Sequence, residues 1–479
     1  MKKIRILLLS ALCLFTFSTS VFASDWNMDY TYSPKNSRVP IPQCYTVEKV
    51  ITSFQAENAV FKAPTEIKID KDNNIFVADT DNNRVVKLDS AGNFVQEFTE
   101  ADGKPFNKPH GIYIASNGDL YIADTDNSRV VHLDTKGSFI ESFVQPASKL
   151  FNTSFSFKPT KVAVDSRGYL NILNGTDYHG IILLDGYNEF QGYLGMNRTT
   201  PTLFEKIAAE IATPEQKAIM DKQIPAYNSS IFSDNNGYIY ATTVQTDVNQ
   251  IKKLNAVGTN TLLDGGVFGE TNFAEDAPHI VRKPNFEDIY VDKNGIITTV
   301  DSSSKRLYQY DQDGGLLCVF GGPGEVGGKY SYPISVAGDS QNRLYVLDRD
   351  RATIQVLKPT LFLSKIHEAI GYYQAGAYEK AVTPWNEVLN IDSTYLMAHR
   401  QIGKVLFKQE KYKESMREYT LAEDRDGYSI AFSKYRHRLY RQYFIPIVIV
   451  TAVSLAVLIK ILFFLKKKAD KYQLGVENK

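Results

Sequence analysis

The chain reads as an all-β six-bladed propeller, followed by a small all-α helical domain and one membrane-spanning helix. Three patterns predict this. Residues 78–89, ADTDNNRVVKLD, return 45 residues later as ADTDNSRVVHLD at 123–134. Units of the same kind, short alternating strands broken by Asn/Asp/Gly turns, recur six times. A second period of 34 residues then begins, and Phe444 to Leu465 is an almost unbroken apolar run.

The first residues, MKKIR then LLLSALCLFTF then Val21-Phe22-Ala23, form a basic, an apolar and a small-x-small segment. Residues 1–23 therefore read as a secretory signal peptide, with a membrane anchor as the competing reading. Cys13 does not read as a lipidation site, because Leu12 precedes it where a small residue is needed. The remaining cysteines, Cys44 and Cys318, are too few for a disulfide framework, and whether they pair stays open. Charges balance at 54 Lys plus Arg against 54 Asp plus Glu, so no global field draws the chain to nucleic acid.

Residues 45–54, YTVEKVITSF, form a lone strand ahead of the repeats. Copies one and two run from Pro64 and Pro109; four weaker copies run from Pro159, Ser229, Pro284 and Pro333. The last has three strands before Pro359, so strand 45–54 is its missing fourth. Closing the ring this way removes an open sheet edge and sets the propeller at residues 45–358.

The pattern Pro-x-apolar run-Asp, then (I/L)-(F/Y)-V-A-D, then Asp-x-x-Asn-x-Arg resembles the NHL repeat. Copies one and two match well. Copy three has Asn174 and no Arg at its third strand, copy four lacks the last stretch, and copy five keeps Asp301 and Arg306 around a Ser-rich turn. The resemblance implies an NHL-like propeller but no function, because the fold serves many tasks. Residues 196–228 interrupt the pattern with a helical insertion, either a lid over the ring or a surface loop.

Residues 361–443 read as helices. Tyr378-Glu379-Lys380-Ala381 meets Tyr412-Lys413-Glu414-Ser415 at offset 34, Ala369 meets Gly403, and Tyr373 meets Phe407. Small residues at helix contacts with aromatics between them resemble the tetratricopeptide (TPR) repeat, whose groove commonly binds protein segments. Phe444–Leu465 spans roughly 33 Å as a helix, enough for one membrane crossing. Pro446 is expected in its first turn, where proline costs little. With the signal peptide, the span predicts a large outer part and a cytoplasmic tail of residues 466–479.

Asp-x-Asp-x-Asn at 70–74 and 79–83 imitates a calcium loop, but Ile75 and Arg84 occupy the place of the required glycine. These carboxylates are expected to accept turn amides, with Arg84 and Arg129 pairing to them. Residues just before each inner strand should ring one mouth of the channel: Thr65 and Glu66, His110, Thr160 and Lys161, Ser229 and Ser230, Glu287 and Asp288, Ile334 and Ser335. Glu66, His110, Lys161, Glu287 and Asp288 are the candidate ligand contacts, in a mixed collar suited to a polar ligand. A catalytic zinc usually has about three protein ligands, and the collar holds one His. Amidating lyases with a similar propeller place His at several mouths, and sugar lactonases cluster carboxylates and amides on one metal; only His110 and Glu66 match. His132, His179, His279 and His367 stand alone in the sequence.

The expectation is a membrane-anchored, extracytoplasmic binding and scaffolding protein that recruits a protein or glycan partner, without a cofactor, with a transporter or envelope machine as a candidate neighbour. The alternative is a lyase or lactonase using a divalent metal at the channel mouth.

Overall fold

The computed structural model describes residues 28–52, 60–175, 177–197, 210–213, 225–244, 246–262, 266–270, 273–274, 277–281 and 283–476. The expected signal peptide and most of the helical insertion lie outside them. Two compact units divide the chain, residues 1–367 and 368–479.

Among the described residues the first unit is a ring of six antiparallel blades. Blade 1 runs Glu66–Ile69, Ile75–Asp79, Arg84–Leu88 and Phe94–Phe98. Blade 2 runs Pro109–Ile114, Leu120–Asp124, Arg129–Leu133 and Phe139–Val144. Blade 3 runs Pro159–Val164, Leu170–Asn174, Ile181–Leu184 and Phe190–Leu194. Blade 4 has Asn228–Ser233, Ile239–Thr243 and Ile251–Leu254. Blade 5 runs Phe286–Val291, Ile297–Asp301, Arg306–Tyr310 and Leu316–Gly321. Blade 6 runs Pro333–Gly338, Leu344–Asp348 and Thr353–Pro359, and Tyr45–Ile51 completes it, with Ile51 opposite Ile354.

One turn device repeats through the blades. An aspartate carboxylate accepts the amides two and four residues on, while the residue between them takes a positive φ. At Asp134 the donors are Lys136 and Ser138, both at 2.8 Å, and Gly137 sits at φ 90°. Asp89, Asp234, Asp292 and Asp339 do the same. The Ser138 amide and the other turn donors hold the Asp134 carboxyl below its ordinary range.

The core is a set of apolar seams between neighbouring blades. Between blades 6 and 1, Ile67, Val77 and Val86 pack with Tyr345, Leu347 and Val356. The alternation of each strand supplies one set of side chains to each seam.

An N-terminal hairpin, Tyr30–Tyr32 with Arg38–Pro40, extends blade 5 to six strands through Tyr30 opposite Val319. No sequence pattern announced it. Glu270 pins it by accepting from Tyr30 at 2.6 Å, from Arg38 at 2.9 Å and from Tyr32.

Five helices fill the C-terminal region among the described residues: Leu361–Gln374, Tyr378–Ile391, Leu396–Lys408, Tyr412–Leu421 and Arg425–Val476. Tyr373 meets Tyr378 at 5.2 Å between ring centres, and Phe407 meets Tyr412 at 5.5 Å. Both pairs close a turn between helices, and they stand 34 residues apart. The last helix is long and apolar enough to cross a membrane. It is continuous from Arg425, so Pro446 lies in its interior rather than in a first turn. Lacking an N–H, Pro446 leaves the Gln442 carbonyl without its usual helical donor.

Candidate functional site at one end of the ring

Antiparallel pairing puts the start of every inner strand and every connection from second to third strand at one end of the ring. The register aligns two sets of residues there. Glu66, Gly111, Lys161, Ser230, Asp288 and Ser335 occupy one equivalent position, opposite Ala78, Ala123, Leu173, Thr242, Val300 and Leu347. Thr65, His110, Thr160, Ser229, Glu287 and Ile334 stand one residue nearer the opening.

The deeper set carries a closed cycle of four charges. Lys161 Nζ lies 2.9 Å from Glu66 Oε1 and 3.7 Å from Asp288 Oδ1. Lys68 Nζ lies 2.8 Å from Glu66 Oε1 and 4.0 Å from Asp288 Oδ2. Each carboxylate therefore faces both ammonium groups, and Glu66, Asp288 and Lys161 are buried. Ser230 Oγ donates to Asp288 at 2.6 Å, and Ser335 Oγ donates to its other oxygen. Burial alone would raise the Asp288 carboxyl, but Lys161, Lys68 and the two hydroxyls outweigh it and hold it below its ordinary range. Burial alone would lower the Lys161 ammonium, but Asp288 and Glu66 outweigh it and raise it.

The same residues seam the blades. Glu66 accepts the Ile112 amide, Asp288 accepts the Val336 amide at 3.1 Å, and Ser335 accepts the Ile67 amide at 3.1 Å. Blade 2 contributes Gly111 because nothing larger fits. A Cβ there would meet the Thr160 carbonyl oxygen at 2.5 Å.

So the five predicted contacts divide. Glu66, Lys161 and Asp288 form the floor of the mouth, where their charges are spent on one another. His110 and Glu287 stand above it. Burial, helped by the Lys161 charge, pulls the His110 imidazole down to about 4, so it is neutral near pH 7. Glu287 Oε1 accepts from Asn285 at 2.6 Å, Ser302 at 2.7 Å and Tyr332 at 2.8 Å. Among the described residues no three His, Cys, Asp or Glu side chains converge as metal ligands. A divalent ion on Glu66 or Asp288 would have to displace two ammonium groups, so the residues present do not fit one.

The paired ADTDN(N/S)R stretch is architectural. Asp124 Oδ1 accepts the Asn107 amide at 2.8 Å, and Oδ2 accepts Arg129 Nε and Asn127 Nδ2, both at 2.8 Å. Asp79, Arg84 and Asn82 repeat the arrangement. Thr80 and Thr125 then tie their blades to the next through the Pro109 and Pro159 carbonyls.

Blade 3 breaks this clasp, and there the polar accounting fails. Asn174 stands for the aspartate and accepts the Lys158 amide at 2.5 Å. By register Gly180 stands where the arginine would be. Asn174 Nδ2 is left without a partner, as are Asn171 Oδ1 and Asp177 Oδ2. Three of the five such buried atoms among the described residues therefore lie in this one blade. Beside them Asp177 Oδ1 meets His179 Nδ1 at 2.5 Å, and Asn152 Nδ2 meets His179 Nε2 at 2.7 Å. With the Asn152 amide as donor at Nε2, the ring proton would sit on Nδ1, facing the carboxylate. The rings of Tyr178, Phe155 and Tyr193 surround His179 at 4.7, 5.8 and 5.8 Å. His179 looks solitary in the sequence because one partner, Asn152, comes from a loop 27 residues earlier and the other, Asp177, belongs to no repeated motif.

Next to blade 3, Lys252 is buried without an acidic partner among the described residues, and burial pulls it to about 8. It donates to the Gly195 carbonyl at 3.2 Å, to Asn228 Oδ1 at 3.4 Å and to Asn197. It thus ties together the two roots of the helical insertion.

Residues 106–133 match the NHL repeat. That stretch is the start of blade 2 through its third strand and includes His110 and the Asp124–Arg129 clasp. No curated protein sequence matches the chain. Among solved structures, the chain is similar to a streptogramin B lyase at 13% identity and TM-score 0.41, over 66% of this chain and 98% of that one. It is similar to virginiamycin B lyase from Staphylococcus aureus at 12% identity and TM-score 0.38, over 69% and 88%. It is also similar to a protein of unknown function from Bacteroides thetaiotaomicron at 14% identity and TM-score 0.44, over 68% and 80%.

Proposed function

We propose that the protein is a membrane-anchored binding protein, held by its last helix, whose ring and TPR-like helices lie outside the membrane and recruit a protein or glycan partner. The observation that carries this reading is the concentration of unpartnered buried polar atoms in blade 3. Buried polar groups nearly always find a hydrogen bond, and a cluster of exceptions calls for a cause such as strain, a functional role or an ordered water. Of these residues, Asp177 orients His179, which three aromatic rings surround. Rings offer flat apolar contact and the amides and carboxylate offer directional bonds, a combination that suits a sugar or an extended peptide. His110 and Glu287 on the same end of the ring extend the polar surface.

The test uses the full chain in detergent micelles, screened against arrays of defined oligosaccharides and peptides. Asp177→Asn and Tyr178→Ala should each weaken the ligand found by at least about tenfold, or ~1.4 kcal/mol, without lowering the melting temperature of the ring. Unchanged affinity in both variants contradicts the reading. The lyase or lactonase alternative requires stoichiometric Ca²⁺ or Zn²⁺ on the full chain, lost on Glu66→Ala or His110→Ala.

A further inference from the structure

Cys44 and Cys318 stand far apart in the sequence and meet in one buried seam. Cys44 immediately precedes the closing strand Tyr45–Ile51, and Cys318 lies in the outer strand of blade 5. Neighbouring contacts fix the approach from three sides. The Tyr45 ring packs on Phe320 at 4.7 Å. Gln309, the cross-strand partner of Cys318, donates to Tyr45 Oη at 2.9 Å. On the third side Tyr30 pairs with Val319, while Asp29 accepts the Cys44 amide at 2.6 Å. Both cysteines are fully buried free thiols, and Cys318 Sγ lies 3.8 Å from the oxygen of the same Gln309 amide whose nitrogen donates to Tyr45.

We propose that Cys44 and Cys318 form a disulfide that locks the ring closed when the chain folds in an oxidising compartment. Each cysteine loses its S–H hydrogen and one Sγ–Sγ bond forms. The oxidant is the disulfide of a dithiol oxidase or of oxidised glutathione, which takes both electrons and both protons and becomes two thiols. The bond joins the segment that closes blade 6 to blade 5, so opening the closing strand would no longer release the chain end.

The timing follows from burial. Exchange needs a thiolate with access to the oxidant. In the closed ring neither thiol reaches solvent, and burial pushes the Cys44 thiol well up. The bond therefore forms while the closing strand is still open, and a ring that closed with reduced thiols resists both oxidation and alkylation. That the cell supplies the oxidant rests on the outward placement proposed above.

Two arms test this separately. In the first, the purified full chain is reduced, denatured and refolded in mixed oxidised and reduced glutathione, then denatured again, alkylated and digested without reductant. The expected product is one linked peptide pair holding Cys44 and Cys318, with neither thiol alkylated. Two alkylated thiols, or each cysteine capped by glutathione, would overturn the proposal. Cys44→Ser guards against a trivial result: its Cys318 must become alkylatable after denaturation, and reductant must lower the melting temperature of the wild type but not of this variant. A variant that melts with the same reductant response as the wild type would also overturn it. In the second arm the chain is taken directly from membranes and mapped in the same way. A linked pair is expected. Free thiols there, together with a linked pair after refolding, would contradict the outward placement and leave the bond itself standing.

Discussion

Lys161→Met removes one of the four charges from the floor of the channel mouth and should cost the ring about 3–5 kcal/mol, the range for breaking a buried ion pair. The geometry supports a value at that scale. Lys161 lies 2.9 Å from Glu66 and 3.7 Å from Asp288. With an effective dielectric of about 20, these attractions are each of order 5 kcal/mol before desolvation is subtracted. Methionine keeps the apolar stem but leaves Glu66 and Asp288 facing Lys68 alone. The assay is denaturant unfolding of the full chain in detergent, followed by near-ultraviolet circular dichroism of the ring. A double-mutant cycle with Glu66→Gln isolates the pair, and a coupling of at least ~1 kcal/mol is expected for groups in contact. The pH dependence has a definite sign. The Asp288 carboxyl is depressed in the folded ring, so its contribution is present above its ordinary value and lost as pH falls through the folded one. Removing Lys161 relieves part of that depression, so the acid transition of the variant should move to higher pH. A cost below ~1 kcal/mol, additivity within ~0.5 kcal/mol, or an unmoved acid transition would refute the view that these charges neutralise one another.

Gly111→Ala forces a Cβ to 2.5 Å from a backbone oxygen of the next blade and should destabilise the ring by up to ~3 kcal/mol, measured in the same unfolding assay. Arg129→Leu leaves Asp124 buried without its cation and should cost ~3 kcal/mol, whereas Arg84→Leu should cost less, because Arg84 is the more exposed of the two. His367 is buried, and burial pulls its imidazole to about 4. Its folded value lies below the unfolded one, so the stability it contributes is full above pH ~6.5 and is lost as pH falls toward 4, by at most ~3 kcal/mol. His367→Gln should flatten the stability profile in that window, read by melting temperature against pH.

The architecture was legible in the sequence because each blade repeats its turn chemistry in register. Asp134 with Gly137, and Asp124 with Arg129, announce their bonds by spacing alone. The closing strand was legible because blade 6 lacked a partner for Thr353–Pro359. The N-terminal hairpin was not, since three-residue strands such as Tyr30–Tyr32 carry too little alternation and their pairing to Val319 is long-range. The mouth was half legible. Spacing aligned Glu66, Lys161 and Asp288, but only the closed ring shows that they meet each other and Lys68, whose place two residues further along the strand hid it. Blade 3 was visible as a departure from the repeat. The meaning of that departure depends on loops folding back: Asn152 reaches His179 from 27 positions away. Pro446 was misplaced because a helix that enters the apolar run from Arg425 shows no capping signal where that run begins.

Histidine labelling with diethyl pyrocarbonate tests the central claim most directly, comparing native membranes with the full chain purified in detergent. The His179 side chain is 21% exposed and the His132 side chain 10%; His132, held between Asp119 and Glu141 on blade 2, serves as the internal reference. If blade 3 holds a partner in the membrane, His179 labelling should rise several-fold relative to His132 once the chain is purified. An unchanged ratio between the two preparations would contradict the claim that blade 3 is the binding site.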